Sequence, residues 1–417
     1  MAPATGPQPT GLYTTSTLTK KTIHALELSG RRLFVRVDFN VPIRDGRIAD
    51  DTRIRAAIPT LTYALDRGAT LLLGSHLGRP KGQVNQEFSL RPVADRLAEL
   101  LDRPVVFAED CIGEAVTAAL GRVGSGRVVL LENLRFHAGE EANDRNFAEA
   151  LARPVDCYVN DAFGAAHRAH ASTAGILNFV HDAAAGLLMA REIRYLGGLL
   201  QSPTRPFVAI LGGAKVSGKM EVIENLLGRV DALLIGGAMA YTFFKARGLA
   251  VGNSLVEDAL MDATRRIERA AAEQGVRLEL PSDHVVAPRL EAEAPYETLA
   301  VEDPGIGTRL GVDIGADTIR RYAEVIAGAK TIVWNGPMGV FEIAAFAQGT
   351  IAIANAVADS GARSVVGGGD SVAAIGRAGV ADRITHISTG GGASLELLGG
   401  RRLPGLDVLP DAGEGTD

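Results

Sequence analysis

Cysteine is scarce in this sequence: there are two, Cys111 and Cys157, far apart and in no Cys-x-x-Cys pattern. That supports neither a disulfide framework nor a structural zinc site, and it fits a reducing compartment, hence a cytoplasmic protein. Hydrophobic runs are short. The longest weakly polar stretch, Ala232 to Phe244, is closed off by Asp231 and Lys245 and falls short of the ~18 residues a membrane helix needs. Positive charge is not in excess, since 43 Lys and Arg against 49 Asp and Glu give a net charge of −6. A protein that coats nucleic acid is strongly basic as a rule, so neither a nucleic-acid nor a membrane partner is expected. No G-x-G-x-x-G fingerprint is present, which argues against a dehydrogenase. Ser75 lies in Gly-Ser-His rather than in a G-x-S-x-G nucleophile elbow. Residues 1–19 are rich in Pro, Gly and Thr and contain no Arg. They have no apolar signal core, so a flexible tail is expected.

Glycine is abundant: 49 of 417 residues, about 12% against roughly 7% in average proteins. Hydrophobic residues make up 47%, ample for real cores. Short unbroken apolar runs recur along the chain: Leu33–Val37, Thr70–Leu73, Val128–Leu131, Cys157–Val159, Phe207–Leu211, Ala232–Ile235, Thr331–Trp334, Ser364–Val366 and Ile384–Ile387. Runs of this kind read as strands buried on both faces of a sheet. Helical spacing marks Leu90–Leu101, Ala142–Leu151, Met220–Leu227 and Leu255–Gln274 between them. Strand and helix in alternation predict an α/β protein with parallel sheets and helices on both faces. A predicted helix over Ala183–Leu200 and the break Ser202-Pro-Thr-Arg-Pro206 divide the chain. Two doubly wound, Rossmann-like domains of ordinary size are expected, joined by a hinge helix. The boundaries are 1–19 for the tail, 20–185 for the first domain, 186–204 for the hinge, 205–395 for the second domain and 396–417 for a final segment.

In parallel α/β sheets ligands bind at the carboxyl ends of strands. In the first half those ends read Asp38-Phe-Asn40, Gly74-Ser-His-Leu-Gly-Arg-Pro80, Glu132-Asn-Leu-Arg-Phe-His137 and Asn160-Asp-Ala-Phe-Gly164 leading to His167-Arg-Ala-His170. In the second half they read Gly212-Gly-Ala-Lys215, Gly236-Gly-Ala-Met239, Asn335-Gly-Pro-Met-Gly339, Gly367-Gly-Gly-Asp-Ser371 and Gly390-Gly-Gly-Ala-Ser394. Arg and His dominate one half and suit a small, multiply charged anion. Gly dominates the other and lets backbone N–H groups approach phosphates at helix starts. Gly at any single turn serves equally well to ease the turn. Two anionic ligands, one per domain, is the simplest reading.

Gly213-Ala-Lys-Val-Ser-Gly218-Lys219 approaches the phosphate-loop pattern but is followed by Met220, which has no hydroxyl for Mg²⁺, so a P-loop NTPase is disfavoured. Lys215 and Lys219 would share one face of a helix starting near Lys215. There they oppose its dipole unless an anion is bound. Phosphate contact is preferred over two solvated lysines. Asp370, after three glycines, is either a ligand of nucleotide-borne Mg²⁺ or a helix N-cap. His167 and His170 stand in H-x-x-H spacing without further metal ligands nearby, which makes a transition-metal site improbable.

The segments Arg36–Pro42, Ser75–Pro80, Leu131–Phe136, Asn160–Gly164 with Ala166–His170, Gly212–Val216, Trp334–Glu342 and Gly367–Ser371 resemble the motifs of phosphoglycerate kinases, in family order, across about Lys20 to Gly405. The resemblance implies a hinge-bending kinase, a monomer, whose first domain binds phosphoglycerate and whose second binds nucleotide. It implies reversible transfer of the acyl phosphate of 1,3-bisphosphoglycerate to MgADP, giving 3-phosphoglycerate and MgATP. By it, Asp38, Asn40, Arg53, His76, Arg79, Arg135 and Arg168 would hold the phosphoglycerate. Arg53, Lys215 and Lys219 would act on the transferred group. Lys219, Gly236, Gly237, Gly311, Glu342, Gly368, Gly369, Asp370 and Ser371 would bind nucleotide, with Asp370 near Mg²⁺, and the final segment would return to the first domain. The longer N-terminal tail, and Ser371 where Thr is common, are the main departures. Another α/β phosphotransferase, or a silent ligand-binding protein of this fold, is the rival reading.

Overall fold

The structure, a computed structural model, describes residues 19–413; the tail expected over 1–19 lies outside them except for Thr19. The chain divides into two compact units, one running to Arg194 and resuming at Arg401, the other spanning Tyr195–Gly400.

The first unit is built on six strands: β1 (Arg32–Arg36), β2 (Thr70–Gly74), β3 (Val106–Ala108), β4 (Val128–Leu131), β5 (Cys157–Asn160) and β6 (Ala183–Ala185). They form one sheet in the order β3-β4-β2-β1-β5-β6, with every pairing parallel. Alternate residues point to opposite faces. Leu33, Val35, Leu71, Leu73, Val128 and Leu130 pack with Ile54, Ala57 and Leu61 of the helix Thr52–Asp66 and with Val93 and Leu97 of the helix Arg91–Leu101. Phe34, Leu72 and Val129 between them are equally buried. Both faces are therefore covered, which is why the strands read as unbroken apolar runs. Gly74 ends β2 because a Cβ there would meet the Phe34 ring at 2.5 Å.

The second unit holds β7 (Phe207–Leu211), β8 (Ala232–Ile235), β9 (Arg277–Glu279), β10 (Asp283–Ala287), β11 (Glu297–Ala300), β12 (Leu310–Ile314), β13 (Thr331–Asn335), β14 (Arg363–Gly367) and β15 (His386–Ile387). The main sheet has the order β9-β8-β7-β13-β14-β15, again parallel throughout. This is the doubly wound order, with its topological switch between β7 and β13. A small antiparallel sheet, β11-β10-β12, interrupts the alternation and has no counterpart in the pattern of apolar runs. Its strands carry Asp283, His284, Glu297, Thr298 and Asp313, so they lack the uninterrupted hydrophobic signature.

The segment predicted as a helix over Ala183–Leu200 is not one helix. Ala183–Ala185 is strand β6, followed by the helix Leu187–Glu192, a π turn Ile193–Gly197 and the helix Gly198–Gln201. Alanine favours a helix in isolation, but pairing of Tyr158, Val159 and Asn160 with Ala183, Ala184 and Ala185 overrides that preference. The unit boundary at Arg194 and Tyr195 falls within the π turn. The helix predicted over Leu255–Gln274 starts later, as Met261–Glu273 after a short turn Asp258–Leu260.

The residues after Gly400 belong to the first unit. Gly405 N–H donates to Ala166 O at 2.8 Å, and Asn160 Nδ2 donates to Gly405 O at 3.0 Å. Leu403, Leu406 and Leu409 are buried. Lys20 reaches the Leu409 carbonyl at 3.0 Å and the Asp411 carboxylate at 2.7 Å. Truncating a buried leucine leaves a cavity that costs about 2–5 kcal/mol. Leu406→Ala is therefore expected to speed amide hydrogen exchange in β1 and β5 while leaving exchange in β7 and β13 unchanged.

Candidate active site

At the carboxyl end of the first sheet the predicted cations gather. Arg53, from the first turn of the helix Thr52–Asp66, donates to Asp38 Oδ2 at 2.8 Å. Asp38 follows β1 and so holds this guanidinium at the strand end. Asn40 Oδ1 accepts the Gly78 N–H at 3.0 Å, and Arg135 donates to Gly78 O at 2.8 Å. These two bonds pin the loop after β2 to those after β1 and β4. Arg79, next to Gly78, is exposed. Arg168 Nε faces His167 Nε2 at 3.1 Å. His76 is buried with its Nδ1 3.3 Å from Arg36.

The histidines report the field of this cluster. Burial, then Arg36 and Arg135, hold His76 well below its ordinary pKa. Burial and Arg36, Arg135 and Arg168 push His170 down to about 3, and burial and Arg168 lower His167. All three are neutral at working pH, so the positive charge rests on arginines, which do not titrate. The Nδ1 atoms of His167 and His170 are buried without a hydrogen-bond partner. Net cation with spare donors is what a multiply anionic ligand requires.

Sequence reasoning did not assign Arg36, which closes β1 and is fully buried. Its Nε donates to Ser172 Oγ at 2.7 Å and one terminal nitrogen lies 3.9 Å from Glu140. Glu140 in turn accepts from the Ser172 hydroxyl at 2.6 Å and its amide at 3.0 Å. Arg36 is thus more deeply buried than Arg53, Arg79 and Arg168 and orients His76. Nothing in a sequence distinguishes a buried arginine at a strand end from a surface one.

In the second unit a cavity of about 210 Å³ opens at the ends of the strands. Gly213, Gly237, Gly311, Glu342 and Asp370 line it, as do Tyr241 and His284. Gly213, Gly237 and Gly336 all have positive φ, at 106°, 69° and 97°. A Cβ on Gly237 would meet the Gly213 backbone at 2.5 Å. The amides are not bare here: Gly213 donates to Pro337 O and Gly237 to Met338 O, each at 2.9 Å, and Gly336 donates to Ser371 Oγ at 2.6 Å. These glycines let three loops cross at backbone distance. Gly236 packs on Met338 rather than lining the cavity.

Three further details differ from expectation. The helix after Gly212-Gly213 begins at Met220, so Lys215 lies in the loop and does not share a helix face with Lys219. Lys215 is exposed, whereas Lys219 is half-buried and donates to Asn335 Oδ1. Burial pulls the Lys219 ammonium down to about 8, opposed by the nearby Asp370 carboxylate. Asp370 is not an N-cap either: Gly368, at φ 91°, caps the helix Gly369–Ala378 and Asp370 is exposed in its first turn. The N–H groups of Gly369, Asp370 and Ser371 are therefore first-turn donors with no intrahelical acceptor.

Tyr241, His284 and Asp313 escaped sequence reasoning because two of them sit on the antiparallel strands that the apolar pattern hides. Tyr241 Oη lies 2.8 Å from His284 Nδ1. Burial pushes Asp313 up to about 7, although its carboxylate accepts the Gly349 and Ile314 N–H groups at 2.7 and 2.9 Å.

Two doubly wound α/β units, one with arginines gathered at its strand ends and one with a glycine-walled cavity beside a helix N-terminus, define a phosphotransferase-like architecture. The sequence matches the phosphoglycerate kinase family over residues 23–401. It is 54% identical to the phosphoglycerate kinase of Chlorobium limicola over 396 residues, covering 94% of this chain and all of the relative. It is 55% identical to that of Acidobacterium capsulatum over 403 residues, with 94% and 100% coverage. The solved phosphoglycerate kinase of Coxiella burnetii superposes with a TM-score of 0.83 at 41% identity, covering 93% of this chain and 98% of that one. That of Pyrococcus horikoshii gives 0.82 at 35% identity with the same coverage. The chain belongs to the phosphoglycerate kinase family.

A Cβ at Gly311 would lie 1.5 Å from the Tyr241 hydroxyl. Gly311→Ala is expected to displace Tyr241 into the cavity and to weaken ADP binding at least tenfold by calorimetry, with 3-phosphoglycerate binding unchanged.

Proposed function

We propose that the chain performs its family's reaction, reversible phosphoryl transfer between 1,3-bisphosphoglycerate and ADP, with the acid ligand on the first unit and the nucleotide on the second. The observation that carries this assignment is the segregation of charge. The arginines that depress His76 and His170 all lie in the first unit, and the glycine-walled cavity with its tyrosine and histidine lies in the second.

Asp38, Asn40, Arg53, His76, Arg79, Arg135 and Arg168 hold the phosphoglycerate. Bidentate guanidinium contacts suit its carboxylate and phosphate. The apolar and aromatic wall of the cavity takes the base, and Glu342 offers a carboxylate to the ribose hydroxyls. Gly369, Asp370 and Ser371 present first-turn amides to the nucleotide phosphates. Lys219 lies beside Asn335 and near Asp370, and Lys215 extends from the loop after β7.

The chemistry needs no general base. The acceptor in the reverse direction is a carboxylate, whose pKa of about 4 leaves it ionised at pH 7. Catalysis is positioning together with neutralisation of charge on the transferring oxygens. Arg53 and Lys215 supply that charge from different units, so direct transfer requires hinge closure to bring both substrates together and exclude water.

Mg²⁺ fits this donor set. Mg²⁺ binds through one or two carboxylates, substrate phosphates and waters rather than in an all-protein cage. Asp370 is a single exposed carboxylate at a helix start beside the cavity. When bound, the ion would neutralise charge on the nucleotide phosphates. Both cysteines are free and buried, which supports a reducing, cytoplasmic setting, and each unit closes its own core, which supports a monomer. Among the described residues no helix is long and apolar enough to cross a membrane.

In a coupled assay with 3-phosphoglycerate and ATP the protein is expected to turn over only with Mg²⁺. Arg53→Ala and Lys215→Ala should each lower kcat by about 10²–10³, the range for losing one preorganised transition-state donor, with far-UV circular dichroism unchanged. Near-normal turnover in either variant removes that residue's role. Asp370→Ala should weaken MgADP binding and leave 3-phosphoglycerate binding intact; equal loss of both, by calorimetry, would reject the assignment of ligands to units.

A further inference from the structure

We propose that Asp110, Cys111 and His137 form a binding site for one thiophilic divalent cation of the Zn²⁺ class, distinct from the ion carried by the nucleotide. Asp110 and Cys111 follow β3, and His137 follows the short turn Leu134–Phe136 after β4. The two strands pair in parallel, with Ala108 opposite Leu131, so both loops leave the same end of the sheet. A carboxylate oxygen, the Cys111 sulfur and a His137 ring nitrogen lie within 4.8 Å of one another. The 25 residues between Cys111 and His137 concealed this grouping from spacing arguments.

The donors are oriented. The His137 ring stacks on Phe147 with centroids 5.1 Å apart, which directs Nε2 to Asp110 Oδ1 at 2.7 Å. The same oxygen accepts the Cys111 N–H at 2.6 Å. With bonds of roughly 2.0–2.3 Å, a tetrahedral Zn²⁺ ion holds its ligands roughly 3.3–3.8 Å apart. Binding would have to open the His–Asp hydrogen bond and draw in the sulfur. Asp110 and His137 also line a cavity of about 200 Å³, while Cys111 is buried behind it.

The donor set selects the ion. One thiolate, one carboxylate and one neutral imidazole balance a divalent charge, and a thiolate with an imidazole favours Zn²⁺ or Co²⁺ over Mg²⁺. Binding breaks the Cys111 S–H bond, forms a sulfur–metal bond and releases one proton to solvent. None of the three residues has a part in phosphoryl transfer.

Co²⁺ is the probe, added to the full-length, chelator-treated protein in excess Mg²⁺. One equivalent is expected to produce a sulfur-to-cobalt charge-transfer band that one equivalent of Zn²⁺ abolishes. Cys111→Ser should remove the band, His137→Gln should weaken Co²⁺ binding at least tenfold, and Cys157→Ser should change neither. The proposal is overturned if no band appears, if the band survives Cys111→Ser or disappears in Cys157→Ser, or if Mg²⁺ displaces the ion. Should Cys111→Ser lose its fold by circular dichroism, His137→Gln decides alone, and unchanged Co²⁺ affinity overturns the site. Kinase turnover is not the readout, so the result stands apart from the assignment of substrates.

Discussion

Parallel pairing at the centre of each sheet is the constraint from which both loop clusters follow. β1 runs beside β5 with Arg36 opposite Asn160, and β7 beside β13 with Leu211 opposite Asn335. Because the strands point the same way, the loops that leave them emerge side by side. That brings Asp38 near the loops carrying His76 and Arg135, and Gly212-Gly213 against Gly336-Pro337. A register slip of one residue would turn every buried side chain to the wrong face. The two hydrophobic faces of each sheet therefore hold the loops at the strand ends in place.

Much of this architecture is readable in the residues. Runs such as Phe207–Leu211 and Thr331–Trp334 carry their strand character openly because helices cover both of their faces. The Arg/His and Gly/Lys asymmetry is also plain, since each loop stands directly after its strand. What stays hidden is whatever tertiary pairing decides. Ala183–Ala185 looks helical until β5 supplies its hydrogen bonds. The strands Asp283–Ala287 and Leu310–Ile314 mix charge with apolar residues, so Tyr241's partner His284 and the carboxyl of Asp313 have no signature. The Gly-rich loops look like bare phosphate cradles, yet several of their amides are already engaged with one another.

Arg36 shows how far a residue's neighbours define it. A fully buried guanidinium is costly unless its donors are satisfied. Here Ser172, the Val37 carbonyl and the Glu140 carboxylate surround it. Glu140 is itself fully buried and its carboxyl is raised by that burial, with Arg36 pulling it back. The pair forms a buried floor under a face on which Arg53 is half-buried and Arg79 exposed.

The first unit is assembled from both ends of the polypeptide. Thr19, Lys20 and Lys21 bond to Pro410, Asp411 and Ala412, while all of the second unit is threaded between them as an insertion. During synthesis from the amino terminus, strands β1 to β6 emerge long before Leu403, Leu406 and Leu409 exist to cover them. The stretch from Tyr195 to Gly400 is continuous and can close its core from its own residues, whereas the first unit stays uncovered at this seam until Leu403, Leu406 and Leu409 have been made.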